Sequence, residues 1–393
     1  MTALDLARLR ADTPGCANVA HFNNAGAALP PTVVVDTMVA HLRREAEIGG
    51  YEAHAEAADR VAAVTDSIAR LLHTTSGNLA LVESATVAWQ RAVSSIPFTR
   101  GDRVLVASSE YASNVLPLLQ LQERLGISVE AIPDGPDGTL DVSAVAGLLD
   151  YRVRLVAVTH MPSQNGLVND VARVGQVLRD AGSKAWYVVD SCQAVGQFDV
   201  DVNEIGADFV SATGRKFLRG PRGTGFLYAS DRAIGELVPW PLDLHGATWT
   251  ALDTYQAADS ARRFEFWEHS YAAILGLGAA VDYALDLGLP AIRARIDEVA
   301  TRVRERLALE VPGLIPNDRG TVRSGIVTFT IAGRNTTELV EQIKSHGVNV
   351  SFSPPDYALR DFLAHGLTGL VRVSPHVYNN DSDIERLITA INA

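Results

Sequence analysis

Between residues 78 and 230 short apolar runs alternate with stretches of helical spacing. The runs "DRVLVASS", "SVEAIP", "VRLVAVTHM", "AWYVVDS", "ADFVSAT" and "TGFLYAS" read as strands. They are rich in Val and Ala and mostly lack polar alternation, as expected when helices cover both faces of a sheet. Between them "NVLPLLQLQERLG" and "VARVGQVLRDAG" place apolar residues along one helical face, and the second meets a stop signal at Gly182. Strand, helix and strand repeated at this interval predict a mostly parallel α/β sheet.

A long apolar-periodic helical region, "LGLGAAVDYALDLGLPAIRARIDEVATRVRERLALEV", follows and is expected to break at Pro290. Beyond it the pattern changes. "SGIVTFTIAG", "NTTELVEQIKSHG", "VNVSFS", "GLVRVSPH" and "NDSDIERLITAIN" describe a smaller α+β unit. The division expected is a large domain over 20–285 and a small C-terminal domain over 286–393, joined by an N-terminal segment 1–19. That segment, opening "MTALDLARLRADTPG", reads as a short amphipathic helix without the basic and apolar regions of a secretory signal.

Composition narrows the function classes. A chain of 393 residues with 47% hydrophobic and 20% charged residues has the makeup of an ordinary globular protein of two or three domains. No run approaches the roughly 18 apolar residues a membrane helix needs. The net charge of -12 disfavours a nucleic-acid backbone or an anionic membrane as partner, which leaves a small molecule. Two cysteines, Cys16 and Cys192, are too few for a disulfide framework or a zinc cluster and fit a reducing, cytoplasmic compartment. The histidines show no ligand-spaced pair, so no metal site is expected.

Three polar signals fall where strands end, which is where open α/β sheets place their ligands. "AWYVVDSCQAVG" delivers Asp190 at the end of a nearly apolar strand, with Gln193 just after. Such an Asp ordinarily caps a helix; it also is the group that would hold a heterocyclic nitrogen protonated. "SATGRKFLRGPRGTGFLY" sets Lys216 beside Thr213 and Arg215. Lysines are mostly solvated, but one at a sheet's ligand edge is equally a Schiff-base amine next to a phosphate cradle. "LVESATVAWQRAV" opens a helix with small hydroxylated residues, read either as an N-cap or as an anion site. The glycines of "GPRGTGFLY" lead into a strand and not a helix, so a dinucleotide-binding turn is not supported.

Strand-end Asp, next-strand Lys and glycine-rich turn together resemble fold-type I enzymes dependent on pyridoxal 5'-phosphate, specifically the class V aminotransferase group. That group includes cysteine desulfurases, selenocysteine lyases and isopenicillin N epimerase. "VVDSCQAVG" is similar to its "DxAQ" strand end, and "SATGRKFLRGPRGTGFLY" to its "SGHKWLxGPKGTGFLY". The similarity runs from "HFNNAGAALPP" to "VRVSPHVYNN". It implies that Lys216 carries the cofactor aldehyde and that Asp190 keeps the ring nitrogen protonated, making the ring an electron sink. It implies that Gln193 and Ser163 bond the ring's phenolic oxygen, and that Tyr111, where the family usually has histidine, stacks on the ring face. Thr86 with the Ala85 backbone, Thr213 and Arg215 are the implied phosphate ligands. Arg215 replaces a customary histidine with a fixed fork suited to a dianion. At the substrate end Arg372 matches the arginine that takes an amino acid's carboxylate, against the alternative of a solvated strand-edge residue. Asn24, Ala25 and Gly26 match the segment whose backbone approaches the substrate.

Two departures limit the activity this resemblance implies. The family's desulfurases carry a nucleophilic cysteine on a small-domain loop, and the matching stretch here, "SFSPPDYALRDFLAHGLTG", has none. In "RRFEFWEHSYAAILGLG" the position of a threonine that reaches the partner subunit's phosphate falls at Trp267 or Glu268. A homodimer is still expected, with Trp267, Glu268 and His269 near the neighbour's site. The expected activity is chemistry at an amino acid's α-carbon, foremost a C–S lyase eliminating from an S-substituted cysteine without an enzyme persulfide. An aminotransferase or an epimerase of the isopenicillin N type is the alternative, and a non-catalytic relative that kept the fold is a third.

Overall fold

Seven strands form the central sheet: β1 (Leu79–Val82), β2 (Arg103–Ala107), β3 (Ser128–Ile132), β4 (Val153–Thr159), β5 (Trp186–Asp190), β6 (Phe209–Thr213) and β7 (Gly225–Ala229). The computed structural model describes residues 4–393. Within that span the spatial order is β1-β7-β6-β5-β4-β2-β3, with β7 alone running antiparallel to its neighbours. All six strands expected from apolar runs are present.

The missing alternation has a direct cause. Along β5, Trp186 and Val188 enter one buried cluster while Tyr187 and Val189 enter another on the opposite face. Leu105 and Val106 of β2, and Leu155 and Val156 of β4, divide in the same way. Each such buried aliphatic contributes about 1.5–3 kcal/mol of transfer free energy, which fixes the register of the sheet.

The expected helices are also formed. Helix Ala112–Leu125 stops at Gly126 in the left-handed conformation, φ 73°, as a C-terminal glycine allows. Helix Val171–Asp180 begins at Asp170, whose side chain accepts the Arg173 N–H. A six-residue helix, Leu6–Ala11, appears near the N-terminus; the first three residues of the stretch read as amphipathic lie outside the described residues.

The break expected at Pro290 lies two residues earlier. Helices Tyr271–Leu287 and Leu289–Glu310 meet at 82° around Gly288, whose φ is 83°. Pro290 is the second residue of the new helix, where a missing N–H costs nothing, and the glycine makes the turn. Among the described residues no single helix is long and apolar enough to cross a membrane.

The helix after Gly288 is shared between two cores. Leu289, Ile292 and Ile296 pack with the large sheet, whereas Val299, Ala300, Val303 and Leu307 pack against a second sheet. That sheet has strands β8 (Leu314–Pro316), β9 (Val327–Ile331), β10 (Ser351–Ser353) and β11 (Leu370–Val373), all antiparallel in the order β8-β9-β11-β10. The segment near residue 20 packs on the same core: Ala20–His21 pairs in parallel with Val348–Asn349 as a separate two-stranded sheet, and Ala20 and Phe22 are buried in the second core. From that core the chain passes through a turn at 24–26 to the large core, where Ala25 packs.

Candidate active site

The carboxyl ends of β4, β5 and β6 open into a cavity of about 300 Å³. Asp190 closes its floor, flanked in register by Thr159 on β4 and Ser211 on β6. Its Oδ1 accepts the Cys192 N–H at 2.9 Å and its Oδ2 accepts Asn114 Nδ2 at 2.9 Å. No helix follows for it to cap. The carboxylate is instead held by two donors and faces the cavity.

Lys216 lies in the loop between β6 and β7 and reaches the same cavity. Burial lowers its affinity for a proton, partly offset by Cys192 and Asp190, so the amine is closer to its nucleophilic form than a surface lysine. Thr213, at the last position of β6, donates from Oγ1 to the Thr224 carbonyl at 3.0 Å. Arg215 donates to the Gly26 carbonyl and lines the cavity.

Opposite them helix Ala85–Ser95 starts. Ser84 is its N-cap, accepting the Val87 N–H at 3.2 Å, and Ala85 and Thr86 line the cavity where a helix start leaves backbone donors free. Gly225 lets this end sit against the sheet. A Cβ there would lie 2.7 Å from Ser84 C and 2.7 Å from Ala212 O.

The small-sheet side supplies Arg372. It stands on β11 between β9 and β10, so the solvated strand-edge reading does not hold; it is 7% exposed. Nη2 donates to Asn23 Oδ1 at 3.2 Å, Nη1 approaches the Ser163 carbonyl at 3.5 Å, and Nε is buried with no partner. Burial pushes the guanidinium down to about 10, which leaves it charged at neutral pH. Tyr111, the N-cap residue of helix Ala112–Leu125, forms a cavity wall and meets Tyr357 edge to face at 6.0 Å between ring centroids.

Of the residues singled out from the sequence, Ala85, Thr86, Tyr111, Ser163, Asp190, Gln193, Thr213, Arg215, Lys216 and Arg372 share the cavity, with Ala25 and Gly26. Asn24 does not. It is fully buried away from it, donating to the Ser374 carbonyl at 2.7 Å and accepting the Tyr378 hydroxyl. Asn23, bridged to Ser374 just before the turn at 24–26, faces the cavity instead. Trp267, Glu268 and His269 lie outside this cavity, beside His245, which pairs with Glu265 at 2.8 Å. Sequence reasoning missed Asn114 and Tyr357 as individuals, although Asn114 sits three residues after Tyr111 and Tyr357 lies within "SFSPPDYALRDFLAHGLTG", the stretch matched to the family's cysteine loop.

The residues fit pyridoxal phosphate. Gln193 donates to the Ala25 carbonyl at 3.0 Å and leaves a buried Oε1 with no partner, an orphan acceptor that a ligand hydroxyl would satisfy. Two arginines, Arg215 and Arg372, line the cavity beside the Lys216 amine in a chain whose net charge is -12, as a phosphate and a carboxylate together require.

Fold and site thus define a fold-type I enzyme built around a lysine-anchored cofactor. The family model described as Aminotransferase class-V matches residues 20–387, and the chain belongs to that family. Its cofactor is pyridoxal 5'-phosphate. A probable cysteine desulfurase of Methanothermobacter thermautotrophicus is 28% identical over 389 residues, covering 96% of this chain and 95% of that one. The apo structure of cysteine desulfurase from Thermococcus onnurineus NA1 superposes with a TM-score of 0.90 at 24% identity, covering 100% of this chain and 98% of that one. The cystine C-S lyase C-DES, in complex with its product cysteine persulfide, shares the fold with a TM-score of 0.86 at 20% identity, covering 96% and 98%.

Proposed function

We propose that the protein is a C–S lyase that eliminates the sulfur substituent of an S-substituted cysteine without storing sulfur on an enzyme cysteine. One observation carries this reading. The stretch 351–369 contributes Ser351 and Tyr357 to the cavity and no thiol, while the one cavity thiol, Cys192, is pushed up to about 12 by burial with Asp190 adding to it. A thiol held neutral that firmly is a poor nucleophile.

When bound, pyridoxal phosphate supplies an electron sink for the bonds at the substrate's α-carbon. The protein's own residues do the rest. Arg372 takes the α-carboxylate with a fork that Asn23 holds in place. Asp190 would hold a proton at the ring nitrogen, and Tyr111, a wall of the cavity, would offer its ring as a stacking surface. Lys216, its amine made less basic by burial, takes the α-proton and is placed to return it. The C–S bond then breaks with its electron pair leaving on sulfur, and the carbon skeleton departs as pyruvate and ammonia after water adds. The sulfur leaves as a thiol or persulfide, according to the substituent.

The reading includes a cytoplasmic homodimer, with Trp267, Glu268 and His269 turned to the neighbour's pocket. Its support is the set of exposed apolar side chains at Trp240, Leu244, Trp249, Leu252 and Trp267. Sedimentation equilibrium reads the dimer directly, and a monomer at micromolar concentration overturns it.

The deciding assay incubates the purified holoenzyme with S-substituted cysteines and follows pyruvate and ammonia. Both appear together if the reading holds. A stable shift of the visible spectrum to the amine form of the cofactor without pyruvate means transamination instead, and loss of optical purity alone means epimerisation.

A further inference from the structure

Behind Asp190 and outside the cavity lining lies a second buried carboxyl group, Glu110, 3% exposed. Its Oε1 accepts the backbone N–H of Thr159; its Oε2 meets Thr159 Oγ1 at 2.7 Å and Asn114 Nδ2 at 3.2 Å. The same amide nitrogen of Asn114 donates to Asp190 Oδ2 at 2.9 Å. One N–H₂ group therefore bridges two carboxyl groups in an interior sealed by β2, β4 and β5. Among the described residues no lysine or arginine bonds to Glu110. The titratable groups that face it, Asp190 and Tyr187, both stand on β5 and bring no positive charge.

Two carboxylates sharing one amide donor in such a place repel each other with little solvent to screen them. A proton on one of them removes the conflict, and the surroundings decide which. Asp190 accepts the Cys192 N–H and faces a cavity that Arg215, Lys216 and Arg372 also line. Glu110 has neutral donors only; burial, with the Asp190 charge adding to it, pushes its carboxyl up to about 8. Oε1 accepts a backbone N–H, so an acid hydrogen on Glu110 would sit on Oε2, where Thr159 Oγ1, drawn as a donor at 2.7 Å, is a hydroxyl able to turn and accept it.

We propose that Glu110 is a positioning residue that keeps its proton in the working enzyme, fixing Thr159 and Asn114 so that Asp190 is aligned and is the one buried anion behind the cofactor's ring. The inference rests on reading the cavity as the pyridoxal phosphate site, but its first test does not. Infrared spectra of the cofactor-free protein at neutral pH contain the C=O stretch of a protonated carboxylic acid buried from solvent. That band is lost in Glu110→Gln, kept in Asp190→Asn, and fades in the wild-type protein as pH rises through about 8. The wild-type titration needs no variant to fold. In the holoenzyme the visible band of the cofactor shifts over the same pH range, and the shift is absent from Glu110→Gln, whose amide keeps one neutral form throughout.

A wild-type protein with no such stretch at neutral pH, or one whose stretch survives in Glu110→Gln, overturns the proposal. A protein that shows the stretch but never takes up a borohydride-reducible chromophore leaves Glu110 protonated and removes the cofactor reading instead.

Discussion

The guanidinium of Arg372 and the amide of Asn23 meet at 3.2 Å across the join between the N-terminal segment and the small sheet. Two parts of the chain separated by 349 residues thus aim one buried charge at the cavity. Arg372→Lys keeps a charge and loses the fork, so kcat/KM for the amino-acid substrate should fall roughly 10²-fold, as truncating one partner of a buried charged contact costs about 2–5 kcal/mol. Asn23→Ala should act in the same direction by less, mainly through KM. Steady-state kinetics of both variants check this, and an unchanged KM in Arg372→Lys would remove Arg372 from carboxylate binding.

Cys192 lines the cavity yet is held as a thiol. Cys192→Ala should retain elimination within a few-fold, and mass spectrometry of the wild-type enzyme during turnover should find no persulfide on Cys16 or Cys192. A Cys192 persulfide that forms and decays at the turnover rate would overturn the proposed sulfur release.

Tyr111 offers its ring to the cofactor and its edge to Tyr357. Tyr111→Phe keeps the stacking surface and should hold the cofactor nearly as well, whereas Tyr111→Ala should lose about 0.5–1.5 kcal/mol of affinity beyond its lost contact area. Equilibrium dialysis of the cofactor separates the two.

His376 ties the Lys216 loop to the C-terminal part of the chain. Its Nε2 lies 2.9 Å from the Phe217 carbonyl while its Nδ1 accepts the Val377 N–H at 2.8 Å, a pattern that only the neutral ring fits. Burial pushes it down to about 3, and pushes His160 down to about 4, from the ordinary 6.5. For a base with a depressed folded value the unfolded chain takes the proton first. The stability these two histidines contribute is therefore complete above about 6.5 and is lost as pH falls below it, by up to about 1.4 kcal/mol per pH unit per histidine. Urea midpoints should drop on acidification, and the drop should be shallower in His376→Asn.

Gly225→Ala places a Cβ against Ser84 and Ala212, while Gly235→Ala meets nothing within 4 Å. The first should cost about 1–3 kcal/mol and weaken cofactor binding by displacing the helix start. The second, inside helix Asp231–Glu236, should be neutral or slightly stabilising. Thermal unfolding of apo and holo protein distinguishes them, and equal effects would remove the special role given to Gly225.

Much of this molecule is written locally. The strands of the large sheet are buried on both faces, so their apolar runs are visible without any partner, and Asp190 and Lys216 stand at or just beyond strand ends that the runs themselves delimit. The glycine-rich turn after Lys216 is equally local, because its backbone geometry depends on the residues in the turn.

What the linear pattern does not hold is which distant groups meet. Whether Asn23 or Asn24 faces the cavity depends on how the turn at 24–26 leaves the second core, and Phe22 and Ser374 settle it by pairing there. Glu110 carries no mark of burial in "SSEYASN"; it becomes a protonated partner of Asp190 only because β2 lies beside β4, and β4 beside β5, in the sheet order. Local sequence sets conformation through short-range sterics and burial pattern, whereas the charge state and aim of a side chain are set by neighbours that only the assembled sheet brings within a few ångströms.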